Sequence, residues 1–127
     1  MEHVICPFVG FYPDFKHPFA VGTSHSTAFT DLTHDCRAMA ITKKDLPQWF
    51  GFVIKSDDGS IRYADRMEAF KVAQTAGQLK DSYTGNTLES YMLGNYDRAE
   101  LNELYQLAEK VIIAFKGLTT DSNVEIR

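Results

Sequence analysis

The sequence predicts an α+β fold, in which a small antiparallel sheet built from hairpins carries about three helices. Two kinds of local pattern indicate this fold: β-prone runs separated by turn residues, and apolar residues repeating at helical spacing. The predicted elements are, in chain order, an N-terminal hairpin over 4–24, a helix over 26–41, a hairpin over 49–64, and helices over 66–77 and 98–116. A chain of 127 residues, 44% hydrophobic and 24% charged, has the length of one domain, and we predict a single domain over 1–127.

The N-terminal hairpin is predicted from two apolar runs, "VICPFVGFYP" and "FAVGTS", separated by the proline-containing turn "PDFKHP". The helix that follows has apolar positions at Phe29, Leu32, Cys36 and Met39, which step by three, four and three residues along one face. Ser24 or Ser26 is the predicted N-cap, because a serine oxygen can accept a bond from a free amide of the first turn.

The second hairpin and the second helix are predicted from turn and cap residues. Residues 49–54 are apolar and β-prone, the turn "SDDGS" contains Asp-Gly, and "IRY" is the return strand. Asp65 and Glu68 have the spacing of a capping box, in which each residue bonds the backbone of the other. Gly77 is predicted to end the helix in the left-handed conformation.

The third helix begins with another Asp-x-x-Glu pair, Asp97 and Glu100, and continues with apolar residues at i, i+3, i+4 and i+7. We predict that it ends at Gly117, and that the preceding loop contains a short helix around residues 87–92. A sheet of this size leaves strand edges exposed, which favours a homo-oligomer that covers them.

Composition excludes several functional classes. The net charge of −4 and the pI of about 5.5 argue against a long nucleic acid as partner, whereas a small nucleotide needs only one or two local cations. No apolar run approaches the roughly 20 residues of a membrane span, so no membrane partner is predicted. The N-terminus lacks the pattern of a signal peptide. We therefore expect a cytoplasmic protein whose cysteines are reduced.

Catalytic and metal-binding patterns are weak. His3 with Cys6, and His34 with Cys36, offer pairs of possible zinc ligands, but their spacing is unspecific. A cysteine nucleophile needs a base and an orienting group, which no motif here indicates. The acidic residues are explained by turns and helix caps, and no phosphate-binding glycine loop is present. The sequence thus predicts a non-enzymatic protein without a metal or cofactor.

Two arginines are the first candidates for ligand binding. Arg62 lies on the return strand, and Arg66 lies at the first position of a helix, where the macrodipole disfavours a cation but free amides can bind phosphate. The alternative is that they form a salt bridge to Asp57, Asp58 or Glu68. Both interpretations are open from the sequence.

His25 is a second candidate, in the stretch "TSHST" before the first helix. It could bind a ligand at the helix N-terminus, together with Thr23, Ser24 and Ser26, or it could be an exposed loop histidine. Sixteen aromatic residues, nine Phe, six Tyr and one Trp, could stack on a base or seal a subunit interface.

The region from 51 to 78 resembles a segment of small bacteriophage proteins. The pattern is Gly-Phe, a glycine turn, Arg-aromatic-x-Asp-Arg-x-Glu-Ala, and a helix ending in Ala-Gly-Gln. The matching residues are Gly51, Phe52, Gly59, Arg62, Tyr63, Asp65, Arg66, Glu68, Ala69, Ala76, Gly77 and Gln78. A histidine upstream of this region and just before a helix, here His25, is also typical of these proteins. Proteins that look like this include the phage anti-Thoeris sponges.

The resemblance implies a function. Anti-Thoeris sponges bind the cyclic ADP-ribose signal made by bacterial TIR enzymes and sequester it without cleavage; relatives capture cyclic oligonucleotides, and the sponges form homo-oligomers. By this resemblance the chain sequesters a cyclic nucleotide immune signal in the cytoplasm of the host bacterial cell and so blocks anti-phage defence. The arginines would neutralise phosphates, Phe52 or Tyr63 would stack on the base, and His25 and Gln78 would donate or accept hydrogen bonds.

The predicted ligand-binding residues are Arg62, Arg66, His25, Phe52, Tyr63 and Gln78. Two other functions are compatible with the same residues. In one, the chain is a protein–protein interaction module of phage origin, with the arginines in surface salt bridges. In the other, it is an enzyme that processes a nucleotide or its phosphoester.

Overall fold

The structure, a computed structural model, describes residues 1–38, 49–83, 85–94 and 96–122; for residues 36–38 and 116–122 it describes the backbone only. Within these ranges it contains four strands, three α-helices and one turn of 3₁₀ helix before the last α-helix. The elements are β1 (His3–Gly10), β2 (Phe19–Val21), α1 (His25–Ala38), β3 (Trp49–Lys55), β4 (Ile61–Ala64), α2 (Arg66–Thr75), the 3₁₀ turn (Ser90–Met92) and α3 (Arg98–Ser122).

The strands form one antiparallel sheet in the order β2-β1-β3-β4. This confirms the predicted fold class, a small α+β fold. Strand β2 covers β1 only from Phe8 to Gly10, and β4 pairs with β3 only from Phe52 to Lys55. The two outer strands are therefore shorter than the two central strands, which carry most of the core.

Both faces of the sheet are buried. On β3, Phe52 and Ile54 pack against α2, whereas Val53 belongs to a second cluster that includes residues of α3. This division follows from strand geometry, because successive side chains point to opposite faces. The register of β1 shifts between Val4 and Cys6, so this strand changes its alternation at an irregularity near its start.

The first helix differs from the predicted apolar face. Ala28 and Leu32, one turn apart, are buried against β1 and β2, but Phe29 is 38% exposed and stacks on Phe50 of β3 at a centroid distance of 5.8 Å. Met39 lies outside the described residues, as does the end predicted for this helix at residue 41. Ser24 is the N-cap, since its Oγ accepts from Thr27 N at 3.1 Å.

Only half of the predicted capping box at α2 is present. The Asp65 side chain accepts from Glu68 N at 2.8 Å, but the Glu68 carboxylate contacts Arg62 Nη1 at 3.0 Å instead of the cap backbone. Gly77 follows the helix with a φ of +71°, and the backbone N–H of Gln78 donates to Ala73 O at 2.9 Å. The predicted left-handed end of this helix is confirmed.

The third helix continues beyond its predicted end. α3 extends to Ser122, so the prediction that Gly117 ends it is wrong. A single glycine costs a helix only about 1 kcal/mol relative to alanine, and no proline follows to stop the backbone bonding. Within the described ranges, none of the helices is at once long and apolar enough to cross a membrane.

Backbone hydrogen bonds hold the segment from 78 to 94 against the rest of the fold. Leu79 and Leu93 form an antiparallel bridge, and Lys80 N donates to Met92 O at 2.9 Å. Leu88 N donates to Arg66 O, also at 2.9 Å, which attaches the same segment to the start of α2. The turn Ser90–Met92 is thus fixed next to the first residues of α1 and α2.

Candidate functional site

A cleft of about 510 Å³ lies where the N-termini of α1 and α2 meet the segment from 80 to 96. Its volume is within the range of small-molecule sites. The residues that line it are Thr23, Ser24, His25, Ser26, Arg66, Lys80, Glu89, Ser90, Tyr91, Leu93 and Tyr96. Two of the six predicted ligand-binding residues, His25 and Arg66, are among them.

The cleft offers several groups that attract an anion. Arg66 and Lys80 are cationic, and Lys80 has no carboxylate within ion-pair distance among the described residues. The start of α1 adds backbone amides, since the first turn of a helix has no intrahelical partners for its N–H groups. Ser24 Oγ accepts from the backbone N–H of Thr27. The backbone N–H groups of His25 and Ser26, in the same first turn, have no intrahelical partner. This combination suits a phosphate oxygen.

His25 is buried and held in one orientation. Its Nε2 lies 2.7 Å from the Gly51 carbonyl oxygen, and its ring packs edge-on against Phe52 at 4.9 Å. A carbonyl oxygen only accepts, so Nε2 carries the proton and Nδ1 is the acceptor. Burial lowers the pKa of His25, and the nearby Arg66 charge lowers it further, despite the Gly51 bond. The imidazole is therefore neutral near pH 7 and presents a lone pair toward the cleft.

Two donors share that lone pair. Arg66 Nη2 and Ser90 Oγ each lie 3.5 Å from His25 Nδ1. A serine beside a histidine whose other nitrogen is fixed by an acceptor is the arrangement of an activated nucleophile. Here, however, the guanidinium competes with the hydroxyl for Nδ1. Arg66 therefore weakens the ability of His25 to act as a general base toward Ser90.

Glu89 forms an ion pair with Arg66 in the lining of the cleft. Its Oε1 lies 2.9 Å from Arg66 Nη1, and each side chain is about one-third exposed. The ion pair places Arg66 within reach of His25 and limits its rotation. An anionic ligand that binds Arg66 must do so beside a carboxylate that already accepts from it.

Tyrosines form the other wall of the cleft. Tyr91 is 62% exposed, and its ring contacts Tyr83 edge-on at 6.1 Å. Tyr96 is half-buried, and its hydroxyl donates to Ser90 O at 3.0 Å; burial raises its pKa to about 12. Tyr91 thus has a free aromatic surface in the cleft, whereas Tyr96 has a structural contact to the 3₁₀ turn.

Arg62 lies outside the cleft. Its Nε and Nη2 donate to the two carboxylate oxygens of Glu2 at 2.7 and 2.8 Å, and Nη1 contacts Glu68. The Glu2 bonds raise the pKa of Arg62, and the same contact lowers the pKa of Glu2. Two carboxylates therefore neutralise this arginine, as in the salt-bridge interpretation; Glu68 is one of the predicted partners, whereas Glu2 is not.

Gln78 bonds the backbone rather than the cleft. Its Oε1 accepts from Val4 N and its Nε2 donates to Val4 O, both at 2.7 Å. The side-chain amide thus pairs with β1 in the manner of a neighbouring strand, at the point where the register of that strand shifts. This geometry gives Gln78 a structural role and removes it from the candidate ligand contacts.

Neither predicted stacking residue is in the cleft. Phe52 is fully buried beneath His25, so its ring has no free face. Tyr63 contacts Phe8 and Trp49 and pairs with Val53, which places it on the sheet face opposite Phe52. Among the described residues that line the cleft, Tyr91 is the aromatic residue with the most exposed side chain.

The residues that sequence reasoning missed come from one segment. Lys80, Glu89, Ser90 and Tyr91 lie in a stretch that the sequence predicts to be a loop with a short helix around residues 87–92; the structure has one turn of 3₁₀ helix there, at Ser90–Met92. The local signal that could have indicated them is the cluster of a carboxylate, a serine and a tyrosine in "LESYM". Their proximity to Arg66 depends on contacts that are distant in sequence.

A smaller cavity of about 220 Å³ lies between α1 and α3. Asp31, His34, Asp35 and Glu109 line it, and burial, followed by the charge of Asp31, raises the pKa of Asp35. Among the described residues, no group of three or more His, Cys, Asp or Glu has the geometry of a metal site. Cys6, a member of one of the possible ligand pairs in the sequence, is buried in the core.

Comparison of the chain with protein-family models, with curated proteins and with solved structures found no significant match.

Proposed function

We propose that the chain binds a small cyclic nucleotide in the cleft at the N-termini of α1 and α2, and sequesters it without chemical change. The observation that carries this proposal is the convergence of Arg66, Lys80 and the first amides of α1 on one cleft that also contains an exposed tyrosine. Phosphate oxygens would bind the cations and the amides, and the base would stack on Tyr91.

The resemblance to anti-Thoeris sponges supports the choice of ligand class. It suggests a cyclic ADP-ribose-type signal or a cyclic oligonucleotide, and hence a role in blocking host anti-phage defence. The contacts of His25 support binding rather than turnover, because Arg66 competes with Ser90 for the lone pair of His25 Nδ1. A second copy of the chain would enclose more of the ligand, as a homo-oligomer of sponge type does.

Calorimetric titration with cyclic ADP-ribose isomers and with cyclic di- and trinucleotides tests the proposal. We expect Arg66→Gln to weaken the best ligand at least about tenfold, since it removes a charge-assisted hydrogen bond of roughly 1.5–3 kcal/mol. Arg62→Gln is the matched control: it removes the same charge a few residues away, outside the cleft, and should leave affinity unchanged.

The fate of the bound ligand separates a sponge from an enzyme. After incubation and heat denaturation, chromatography should recover the ligand unchanged. A new product peak that Ser90→Ala abolishes would instead show nucleotide processing. Absence of heat for every nucleotide, with the fold intact by circular dichroism, would refute the binding proposal.

A protein–protein interaction module is the second candidate. The stacked pair Phe29 and Phe50 is more than one-third exposed, and Trp49 is 43% exposed at the start of the same strand. Exposed aromatic groups of this kind are enriched at interfaces. If stoichiometric capture of one host protein is lost in Phe29→Ser while Arg66→Gln retains it, this candidate is favoured over nucleotide binding.

A further inference from the structure

We propose that Glu89 determines specificity in the cleft by favouring phosphodiesters, which carry one charge per phosphate, over phosphomonoesters, which carry close to two. This inference rests on the proposed function and adds to it the class of phosphate that the cleft selects. It follows from where Glu89 lies, what holds it there, and the charges that surround it.

The first step is the position of the carboxylate. Glu89 Oε1 lies 2.9 Å from Arg66 Nη1, so the arginine that would bind a phosphate is already paired with a carboxylate. A phosphate at Arg66 comes within a few ångströms of Glu89. In a partly desolvated cleft, two like charges at such distances repel strongly enough to change affinity several-fold.

The second step is that Glu89 has a fixed backbone. It is the N-cap of the turn Ser90–Met92, and its carbonyl accepts from Met92 N at 3.0 Å. The residue before it donates to Arg66 O at 2.9 Å, and the residue after it accepts from the Tyr96 hydroxyl. The side chain can rotate, but the backbone from which it extends stays beside Arg66.

The third step is the charge of the cleft. Arg66 and Lys80 contribute two positive charges, Glu89 one negative charge, and His25 is neutral with its proton on Nε2. The side chains therefore supply a net charge of about +1. One phosphodiester charge is balanced, whereas the second charge of a monoester at pH 7.5 has no remaining counter-charge and faces Glu89.

The consequence is a discrimination that suits the proposed ligand. Ring closure converts a terminal phosphate into a diester, so a cyclic nucleotide differs from its opened form by one negative charge at the same phosphorus. A carboxylate in the cleft distinguishes the two forms by repelling the additional charge, without contacting the base. It rejects linear mononucleotides and hydrolysed signals by repulsion rather than by shape.

The test uses a 3′,5′-cyclic dinucleotide of adenine and its singly opened linear product, which carries a 5′-phosphomonoester. Affinities of both are measured by calorimetry at pH 7.5 and low salt for the unaltered protein and for Glu89→Gln. We expect the unaltered protein to prefer the cyclic form about tenfold, and Glu89→Gln to reduce that preference at least about threefold by tightening the linear form more.

Glu68→Gln is the matched control, because Glu68 also pairs with an arginine but lies outside the cleft. It should leave the ratio of the two affinities unchanged. If the effect of Glu89→Gln came only from the net charge of the protein, Glu68→Gln would change that ratio by the same factor. If the protein binds both probes and Glu89→Gln leaves their ratio unchanged, the inference about Glu89 is wrong while nucleotide binding stands. If neither form binds the unaltered protein or Glu89→Gln, the proposed function itself fails for this ligand class, and the inference fails with it.

Discussion

At the scale of single residues, His25 is the side chain with the most constrained chemistry. It is buried, its Nε2–H donates to Gly51 O, and its Nδ1 faces a guanidinium. Protonation would place a second N–H against Arg66, in a site where burial already opposes charge. The imidazole is therefore a neutral acceptor whose orientation is set by the backbone of β3.

This arrangement predicts a pH dependence of stability. Because the pKa of His25 is lowered in the folded state from an ordinary value of 6.5, the unfolded chain binds more protons as the pH falls through and below 6.5. The free energy of unfolding should decrease across this window. His25→Gln, which keeps a donor without a titrating ring, should show a smaller decrease between pH 7.5 and 5.5 in urea titrations. An equal decrease in both proteins would contradict the assignment.

At the scale of elements, the irregular start of β1 depends on one side chain from the end of α2. Strand β2 pairs only with the last three residues of β1, so Val4 has a backbone N–H and C=O that need another partner. The Gln78 amide supplies both contacts, directly after the left-handed Gly77 that ends the helix. A side chain just beyond the end of α2 thus makes the two backbone hydrogen bonds that a neighbouring strand would otherwise make to Val4.

Gln78→Ala should lower the free energy of unfolding by about 1–3 kcal/mol, because it leaves two part-buried backbone groups without their partner. Gln74→Ala, an exposed substitution in the same helix, should change it by less than about 0.5 kcal/mol. Denaturant titration followed by circular dichroism measures both values. Equal, small effects would mean that water replaces the Gln78 amide at Val4 without loss.

At the scale of the whole molecule, the ion pairs of Arg62 connect parts of the chain that are distant in sequence. Glu2 precedes β1, Arg62 lies on β4 and Glu68 lies on α2. One guanidinium between two carboxylates therefore holds the N-terminal residues to the opposite edge of the sheet. The same contacts explain why this arginine does not contribute to the cleft.

Arg62→Met should lower the free energy of unfolding by about 1 kcal/mol, since a doubly bonded and networked pair exceeds an isolated surface pair. The melting temperature, followed by the fluorescence of the single tryptophan, should fall by about 3 °C at low salt. The difference should shrink at 0.5 M salt because screening weakens the pairs. Lys71→Met, which removes the same charge at an exposed position on α2, should lower the melting temperature by less.

The sequence predicted the fold because the relevant signals are local. Turn glycines, cap aspartates and apolar periods specified strands and helices within a few residues, and they also placed His25 and Arg66 at helix starts. The candidate site was predicted only to that extent. The contacts of Arg62 with Glu2 and of Gln78 with Val4 span 60 and 74 residues, and no local pattern indicates such pairs. Tyr91 and Glu89 lie in an aperiodic segment whose position depends on the same kind of distant contact.

The backbone bonds of the segment from 78 to 94 have a consequence for kinetics. The bridge between Leu79 and Leu93, with the bond from Leu88 to Arg66, forms the wall of the cleft when the chain folds. Within the described part of this segment, these bonds already exist before a molecule enters the cleft, so the encounter rate is set by diffusion and by the local field rather than by ordering of this wall. Differences in affinity among molecules that enter the cleft should then appear as differences in residence time.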